Sequence, residues 1–175
     1  IVEKIVKLQN SRGPDDQGIW QSSCGRLCFG HNRLTIIDLS KKGRQPFISN
    51  DKNYIITFNG EIYNFREIKK ELTDKNIIFK SNSDTEVIIE SYKYWGLDFV
   101  KKLRGMFAFA IWDSIKKKLI LARDPFGIKP LYYSKKNVPI SLCGFYLDVI
   151  YQFLFAYYVH LFLPPQFPAL KSSIA

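Results

Sequence analysis

Gly105-Met-Phe-Ala-Phe-Ala-Ile-Trp-Asp113 alternates small and large residues over the length of a strand. Asp113-Ser114 supplies a turn and Lys118 to Ala122 reads as the returning strand, so the unit is a hairpin. Upstream, Tyr54-Ile-Ile-Thr-Phe58 is a buried type of strand stopped by Asn59-Gly60. Ile19 to Ser22, Leu27 to His31 and Leu34 to Asp38 are short β-prone runs, and Lys42-Gly-Arg-Gln-Pro46 reads as an exposed loop. Downstream, the Gly and Pro loop Asp124-Pro-Phe-Gly-Ile-Lys-Pro130 leads to a last short strand, Leu131-Tyr-Tyr133. Two helices interrupt the strands. Asn64 with Glu67 forms a capping box opening Phe65 to Leu72, and Ser83 with Glu86 opens Asp84 to Trp95 in the same way. Gly96 sits where a helix C-cap glycine belongs. Val87, Ile88, Ser91, Tyr92 and Trp95 give the second helix one packing stripe. Strands outnumber helices and sit in hairpins, which predicts an α+β fold with antiparallel sheets.

Both ends of the chain differ from this middle. Ile1-Val-Glu-Lys-Ile-Val-Lys-Leu8 has helical spacing and none of the features of a signal peptide, and the turn formers of Asn10 to Gly18 end it. It reads as the later part of a helix. From Pro139 to Ala175 the only formal charges are Asp148 and Lys171, while nine aromatic side chains crowd the same stretch. The net charge of +10 therefore lies wholly in residues 1–138. The boundaries expected are a domain over 1–138 and an apolar tail over 139–175. Ile140 to Pro164 is long enough for a membrane span, but Asp148, Gln152 and His160 interrupt it, and no membrane association is expected.

With 175 residues, 46% of them hydrophobic, the chain is long enough for one domain with a sizeable core and leaves little room for a second domain. The lysines fall in separate turns (Lys41-Lys42, Lys116 to Lys118, Lys135-Lys136) rather than one stripe, which argues against a nucleic-acid partner. Cys24, Cys28 and Cys143 form no framework, and a reduced, cytoplasmic chain with buried or half-buried structural thiols is the expectation. His31 and His160 lie in no metal or triad context, no metal site is expected, and neither a Walker loop nor a Gly-x-Gly-x-x-Gly occurs.

The residues with chemical promise are Arg12, Arg33, Asn59-Gly60-Glu61 and Asp84. Each has a plain reading: Asn59-Gly60 as a hairpin turn, Asp84 as a carboxylate set against a helix dipole, the arginines and Glu61 as solvated charges. Together they could hold an α-amino acid, because arginine pairs a carboxylate, acidic residues pair an ammonium, and an oxyanion needs amide donors.

Six blocks favour the second reading. They are Arg12-Gly-Pro-Asp-Asp16, His31-Asn-Arg-Leu-Thr-Ile-Ile-Asp-Leu-Ser40 with Gln45-Pro46, Phe58-Asn-Gly-Glu-Ile-Tyr-Asn64, Ser83-Asp-Thr-Glu86, Gly105 to Asp113, and Ala122-Arg-Asp-Pro-Phe-Gly-Ile-Lys-Pro-Leu-Tyr-Tyr133. In order and spacing the series resembles the glutamine-hydrolysing domain of glutamine-dependent asparagine synthetases, which are class II amidotransferases. The resemblance implies the four-layer αββα sandwich of the N-terminal nucleophile hydrolases, here incomplete at its N-terminus. It implies that Arg33 grips the α-carboxylate of L-glutamine with Leu34 and Ile37 lining the site, and that Glu61 and Asp84 hold the α-ammonium. Asn59 by its side-chain amide and Gly60 by its backbone N–H would form the oxyanion hole, and Arg12 would brace the N-terminal segment.

Three departures accompany the resemblance. The family nucleophile is a cysteine at the mature N-terminus, and none of the three cysteines here replaces it. Ser11 stands where the family usually has histidine. After Tyr133 the family continues with a Phe-Ala-Ser-Glu-x-Lys strand, whereas here Ser134-Lys-Lys-Asn-Val leads into the tail, whose Leu147 to Val159 resembles the family's entry to a synthetase domain. That domain would bind ATP, Mg2+ and aspartate, so no cofactor is expected in this chain. The expectation is a glutaminase part, inactive by itself, of an enzyme converting aspartate to asparagine, with a homodimer compatible with the full-length protein. The alternative is a non-catalytic glutamine-binding or interaction module.

Overall fold

The computed structural model describes residues 2–25, 27–134 and 141–143. The elements run α1 (Val2–Leu8), β1 (Asp16–Gln21), β2 (Cys28–Arg33), β3 (Phe47–Ile48), β4 (Tyr54–Ile62), α2 (Phe65–Thr73), α3 (Asp84–Trp95), β5 (Gly105–Asp113), β6 (Lys118–Arg123), β7 (Tyr132–Ser134) and β8 (Ser141–Cys143). β1 and β2 form one antiparallel pair, β3-β4-β5-β6 an antiparallel sheet in sequence order, and β7-β8 a further pair. Short 3-10 turns cover Asn10–Arg12, Lys41–Gly43 and Gly96–Lys102.

The period-2 alternation of β4 and β5 sets the layers. Ile56, Phe58, Ile62, Phe107, Phe109 and Ile111 share a core with Ile68 and Leu72 of α2 and Val87, Ile88 and Tyr92 of α3. Ile55 and Ala110 point the other way, into a second core with Leu27, Phe29 and Leu119. Behind that, α1 rests on β2: a side chain at Gly30 would meet Val2 and Val6 at 2.7 Å, and Asn32 donates to the Val6 carbonyl at 2.8 Å. The order is helix, sheet, sheet, helix, as the αββα expectation requires. Between the sheets His31 is buried with Nδ1 3.4 Å from Thr57 Oγ1. Burial first, and Arg33 second, pull its pKa down to about 3, so the ring is neutral.

The β5–β6 hairpin and the Gly96 C-cap follow the sequence; α3 packs by its expected stripe but also buries Thr85, Glu86, Ile89 and Glu90, so its burial is not confined to one face. Several local expectations are corrected. Leu34 to Asp38 is not a strand: Leu34 and Ile36 are exposed, the Thr35 amide donates to Asp15, and the Arg33 guanidinium takes the Asp38 and Ser40 carbonyls, so side chains replace a ladder. Asn59-Gly60 is no turn, because β4 runs through it to Ile62, pairing Asn59 with Ala108 and Gly60 with Phe107. Asn64 precedes α2 but does not cap it; its amide bridges to Lys102 O and Arg104 N, and Glu67 pairs with Arg104. Ser83 does cap α3, accepting from Thr85 N, whereas Glu86 turns to Lys80 and Ser81 instead of closing a box. The Lys42 to Pro46 loop is not exposed throughout, since Gly43 and Gln45 are buried. Of the two cysteines whose burial is described, Cys24 is exposed in the β1–β2 turn and Cys28 is half-buried.

β8 falls in the first residues of the 139–175 stretch and pairs with β7. The family-entry segment 147–159, His160 and most of the 140–164 apolar run lie outside the described residues. Among the described residues no helix is long and apolar enough to cross a membrane.

Candidate active site

The site forms along one edge of β4. β3 reaches only Ile55 and Ile56 on that side, so the later residues need other partners. Phe58 finds both in one side chain: its N–H donates to Gln45 Oε1 at 2.7 Å and its carbonyl accepts from Gln45 Nε2 at 3.1 Å. Ile62 N–H donates to Asp84 Oδ2 at 3.2 Å. Gly60 lies midway between these two. Its partner across the sheet, Phe107, spends its own N–H and carbonyl on Asp124 on the far side, so the Gly60–Phe107 pair exchanges no ladder bonds. Alternation therefore directs the Gly60 N–H to the same edge as those of Phe58 and Ile62. By the same alternation Asn59 and Glu61 share the β4 face of Ile55 and Thr57.

Gly60 is required in this position. It adopts φ +146°, and a Cβ would stand 2.0 Å from the Met106 carbonyl oxygen. Behind the strand Asp124, buried, accepts from the amides of Phe107, Ile128 and Lys129 at 3.2, 2.9 and 2.9 Å. Burial would raise its pKa, but these amides together hold it below the ordinary carboxylate value. The following Gly and Pro loop is thereby locked onto β5, with the buried Lys129 in electrostatic contact with Asp124 and Glu61.

Arg33, at the end of β2, is half-buried and held by backbone carbonyls. Nη1 donates to Ser40 O at 3.0 Å and Nη2 to Asp38 O. Of the five guanidinium N–H groups, these two bonds leave enough in the plane for bidentate pairing with a carboxylate. Gly43 gives Arg33 its room, for a Cβ there would meet Nη2 at 2.6 Å. Asp38 then joins this loop to α3: one carboxylate oxygen accepts from the amide and hydroxyl of Ser40 at 2.8 and 2.6 Å, the other from Asn82 N at 3.0 Å. A cleft of about 540 Å3 borders this junction, with Lys42, Lys69 and Asn82 among its walls.

Asp84 opens α3 and is 5% exposed. Burial raises its pKa to about 6, and neighbouring Glu61 adds to the rise against the amides of Ile62 and Thr85. A carboxylate that is costly to ionise, beside a second carboxylate, is set up to receive a cation.

The sequence-predicted residues thus fall into two groups. The Gly60 backbone lies at the β4 edge, and Asp84 meets that edge at Ile62, with Glu61 near enough to act on it. Asn59 and Glu61 stand on the β4 face of Ile55 and Thr57, while Arg33 is tied to the start of α3 through Asp38 and Asn82. Leu34 is 59% exposed and Ile37 half-buried in the loop after Arg33. Arg12 is exposed at the end of its 3-10 turn, next to Gly13, which packs on the Asn32–Arg33 backbone. Sequence reasoning did not single out Gln45, Asp38 or Asp124. Each sits in a quoted block, but its partners are backbone groups that no spacing rule displays.

Residues 1–144 match the family model described as a glutamine amidotransferase domain. The chain belongs to that family. This amidotransferase domain is 45% identical over 139 residues to asparagine synthetase [glutamine-hydrolyzing] 1 of Bacillus subtilis, covering 77% of this chain and 22% of that protein. It is 46% identical over 135 residues to asparagine synthetase [glutamine-hydrolyzing] 2 of the same organism, covering 77% and 17%. It is also 44% identical over 133 residues to amidase chry2 of Gibberella zeae, covering 76% and 20%. The chain thus spans about a fifth of the length of these relatives. Among solved structures it is similar to the glutamine phosphoribosylpyrophosphate amidotransferase of B. subtilis, with TM-score 0.51 and 28% identity over 61% of this chain and 25% of the other. The fold is that of the N-terminal nucleophile amidotransferases.

Proposed function

We propose that the β4 edge binds L-glutamine and presents its side-chain amide for hydrolysis, as the glutaminase part of an asparagine-forming enzyme. The observation that carries the reading is the Gly60 N–H, aimed at an edge whose flanking N–H groups are taken by Gln45 and Asp84. Arg33 pairs the α-carboxylate, with Leu34 and Ile37 beside it. Asp84 and Glu61 pair the α-ammonium. A thiolate adds to the amide carbon, and the resulting oxyanion is stabilised by Gly60 N–H and the Asn59 side-chain amide. Collapse of that intermediate breaks the C–N bond, and the departing nitrogen takes a proton to leave as ammonia. Water then cleaves the thioester to glutamate and regenerates the thiol.

The family supplies the thiolate from an N-terminal cysteine whose α-amino group, with a pKa of about 8, can take its proton. Neither Cys24, out in the β1–β2 turn, nor Cys28, whose thiol is pushed up by burial, is suited to that role. Arg12 braces the segment before β1. The ammonia would serve an ATP-dependent amidation of aspartate, a reading supported by the names of the synthetase relatives, and ATP, Mg2+ and aspartate would bind outside the residues described here. If no thiolate reaches the edge, the same residues make a glutamine-binding module.

Calorimetry with glutamine tests the reading. Saturable binding is expected, weakened roughly a hundredfold in Arg33→Ala, the cost of leaving a desolvated carboxylate unpaired, about 3 kcal/mol. The 175-residue polypeptide is expected to form no glutamate from glutamine. Absence of saturable binding in the wild-type chain would overturn the reading, and turnover would overturn the assignment of the thiol.

A further inference from the structure

An α-amino acid carries its two charges on one carbon, with the nitrogen and the carboxylate carbon about 2.5 Å apart. A site that pairs both must hold its cationic and anionic arms at a fixed separation. Here Arg33 ends β2 and Asp84 opens α3, elements that belong to opposite layers of the sandwich. Something must set the distance between them.

We propose, resting on the glutamine reading above, that Asp38 is a positioning residue that fixes the spacing of the two arms. It is 8% exposed and touches the supports of both. On one side its backbone carbonyl accepts from Arg33 Nη2, and its Oδ1 ties down Ser40, whose carbonyl holds Arg33 Nη1. On the other its Oδ2 accepts from the amide of Asn82, two residues before Asp84 and directly before the cap Ser83. The carboxylate therefore works as a clasp between the Arg33 loop and the start of α3. Burial alone would raise its pKa, but the bonds from Ser40 and Asn82 prevail and hold it below the ordinary value. It stays ionised at a pH where Asp84 begins to take up a proton. Lys69, which donates to Ser81 O at 2.8 Å and Asn82 Oδ1 at 3.0 Å, steadies the same turn from the helix side but does not reach Arg33.

A spacing device and a merely structural residue differ in what they do to ligands with one charge. The full chain is titrated by NMR with L-glutamine, with 4-aminobutanamide, which has the ammonium but no carboxylate, and with glutaramate, which has the carboxylate but no ammonium. In Asp38→Asn one oxygen can still accept from Ser40, while the new NH2 faces the Asn82 N–H, donor against donor. Glutamine affinity is expected to fall by about 30-fold, toward that of the one-charge ligands, whose affinities change by less than about twofold. Gly43→Ala would set a Cβ 2.6 Å from Arg33 Nη2 and 3.3 Å from the Asp38 Cβ, so it presses first on the guanidinium, and glutamine and glutaramate are expected to weaken more than 4-aminobutanamide. Should Asp38→Asn not fold, Ser40→Ala removes the 2.6 Å hydroxyl bond, keeps the charge, and is expected to show the same selective pattern at about fivefold.

Equal glutamine affinity in wild type and the clasp variants, or a uniform loss across all three ligands, overturns the proposal and leaves the glutamine reading intact. A wild-type chain that binds none of the three overturns that reading, and the clasp with it.

Discussion

Gly60→Ala is expected to destabilise the fold by more than about 3 kcal/mol and to abolish glutamine binding. The residue sits at φ +146°, a conformation that side chains rarely adopt, and its Cβ would lie 2.0 Å from Met106 O and 2.7 Å from Phe107 Cα. Both obstacles are backbone of β5, and Phe107 is itself anchored by Asp124. The strands must separate, or β4 must shift, and either movement takes the N–H off the edge. Gly96→Ala is the control: its φ is +59° and ψ −143°, but nothing lies within 4 Å of the new Cβ, so only backbone strain of about 1–3 kcal/mol remains. Denaturant unfolding of both variants measures the contrast, and a cost at Gly60 no greater than at Gly96 would refute the close approach.

Asp84→Asn should move stability and binding in opposite directions. With a folded pKa of about 6 against 3.8, the folded state holds the proton more tightly than the unfolded one. The sign follows from linkage. Stability contributed by the protonated form is full below pH 3.8 and is lost as pH rises through 6, so at pH 7 ionised Asp84 costs up to about 3 kcal/mol. Asparagine keeps an acceptor for Ile62 N without the charge and should recover much of that cost. Glutamine binding should weaken roughly a hundredfold, because the ammonium loses its buried counter-charge. In the wild-type chain the ammonium needs the ionised carboxylate, so affinity is expected to be flat above pH 7 and to fall about tenfold between pH 7 and pH 5. The variant should lose that slope. Thermal melts and calorimetry at both pH values check the pair of effects; a variant that is both less stable and unchanged in affinity would remove Asp84 from the site.

The layers were legible in the sequence because they rest on periodicity. The alternation in Gly105 to Asp113 and the stripe on α3 mark the faces that pack, and the structure uses those faces. Local signals failed where a distant group outbid the local one. Asn59-Gly60 carries the dipeptide of a hairpin turn, yet β5 pairs with both residues and holds them extended. Leu34 to Asp38 has strand composition, but Asp15 and Arg33 take the backbone groups a neighbouring strand would need. The charged members of the site were recognisable as types, since an arginine, two carboxylates and an amide pair suit an amino acid. What joins them was not, because Gln45, Asp38 and Asp124 act on main-chain atoms 13, 44 and 17 residues away.

Gln45 has a consequence for the sheet as a whole. A strand edge with free N–H and carbonyl groups invites pairing with another chain, and β4 beyond Ile56 would be such an edge. The Gln45 side chain offers Phe58 one donor and one acceptor, just as a neighbouring peptide group would, and so closes the template with a piece too short to propagate. Two residues past Gly60 the Asp84 carboxylate, an acceptor only, denies an incoming strand the alternation it needs. The gap at Gly60 is one residue wide. An edge guarded in this way refuses a polypeptide, and on the proposed reading the one gap left in the guard is the opening through which a small amide would enter.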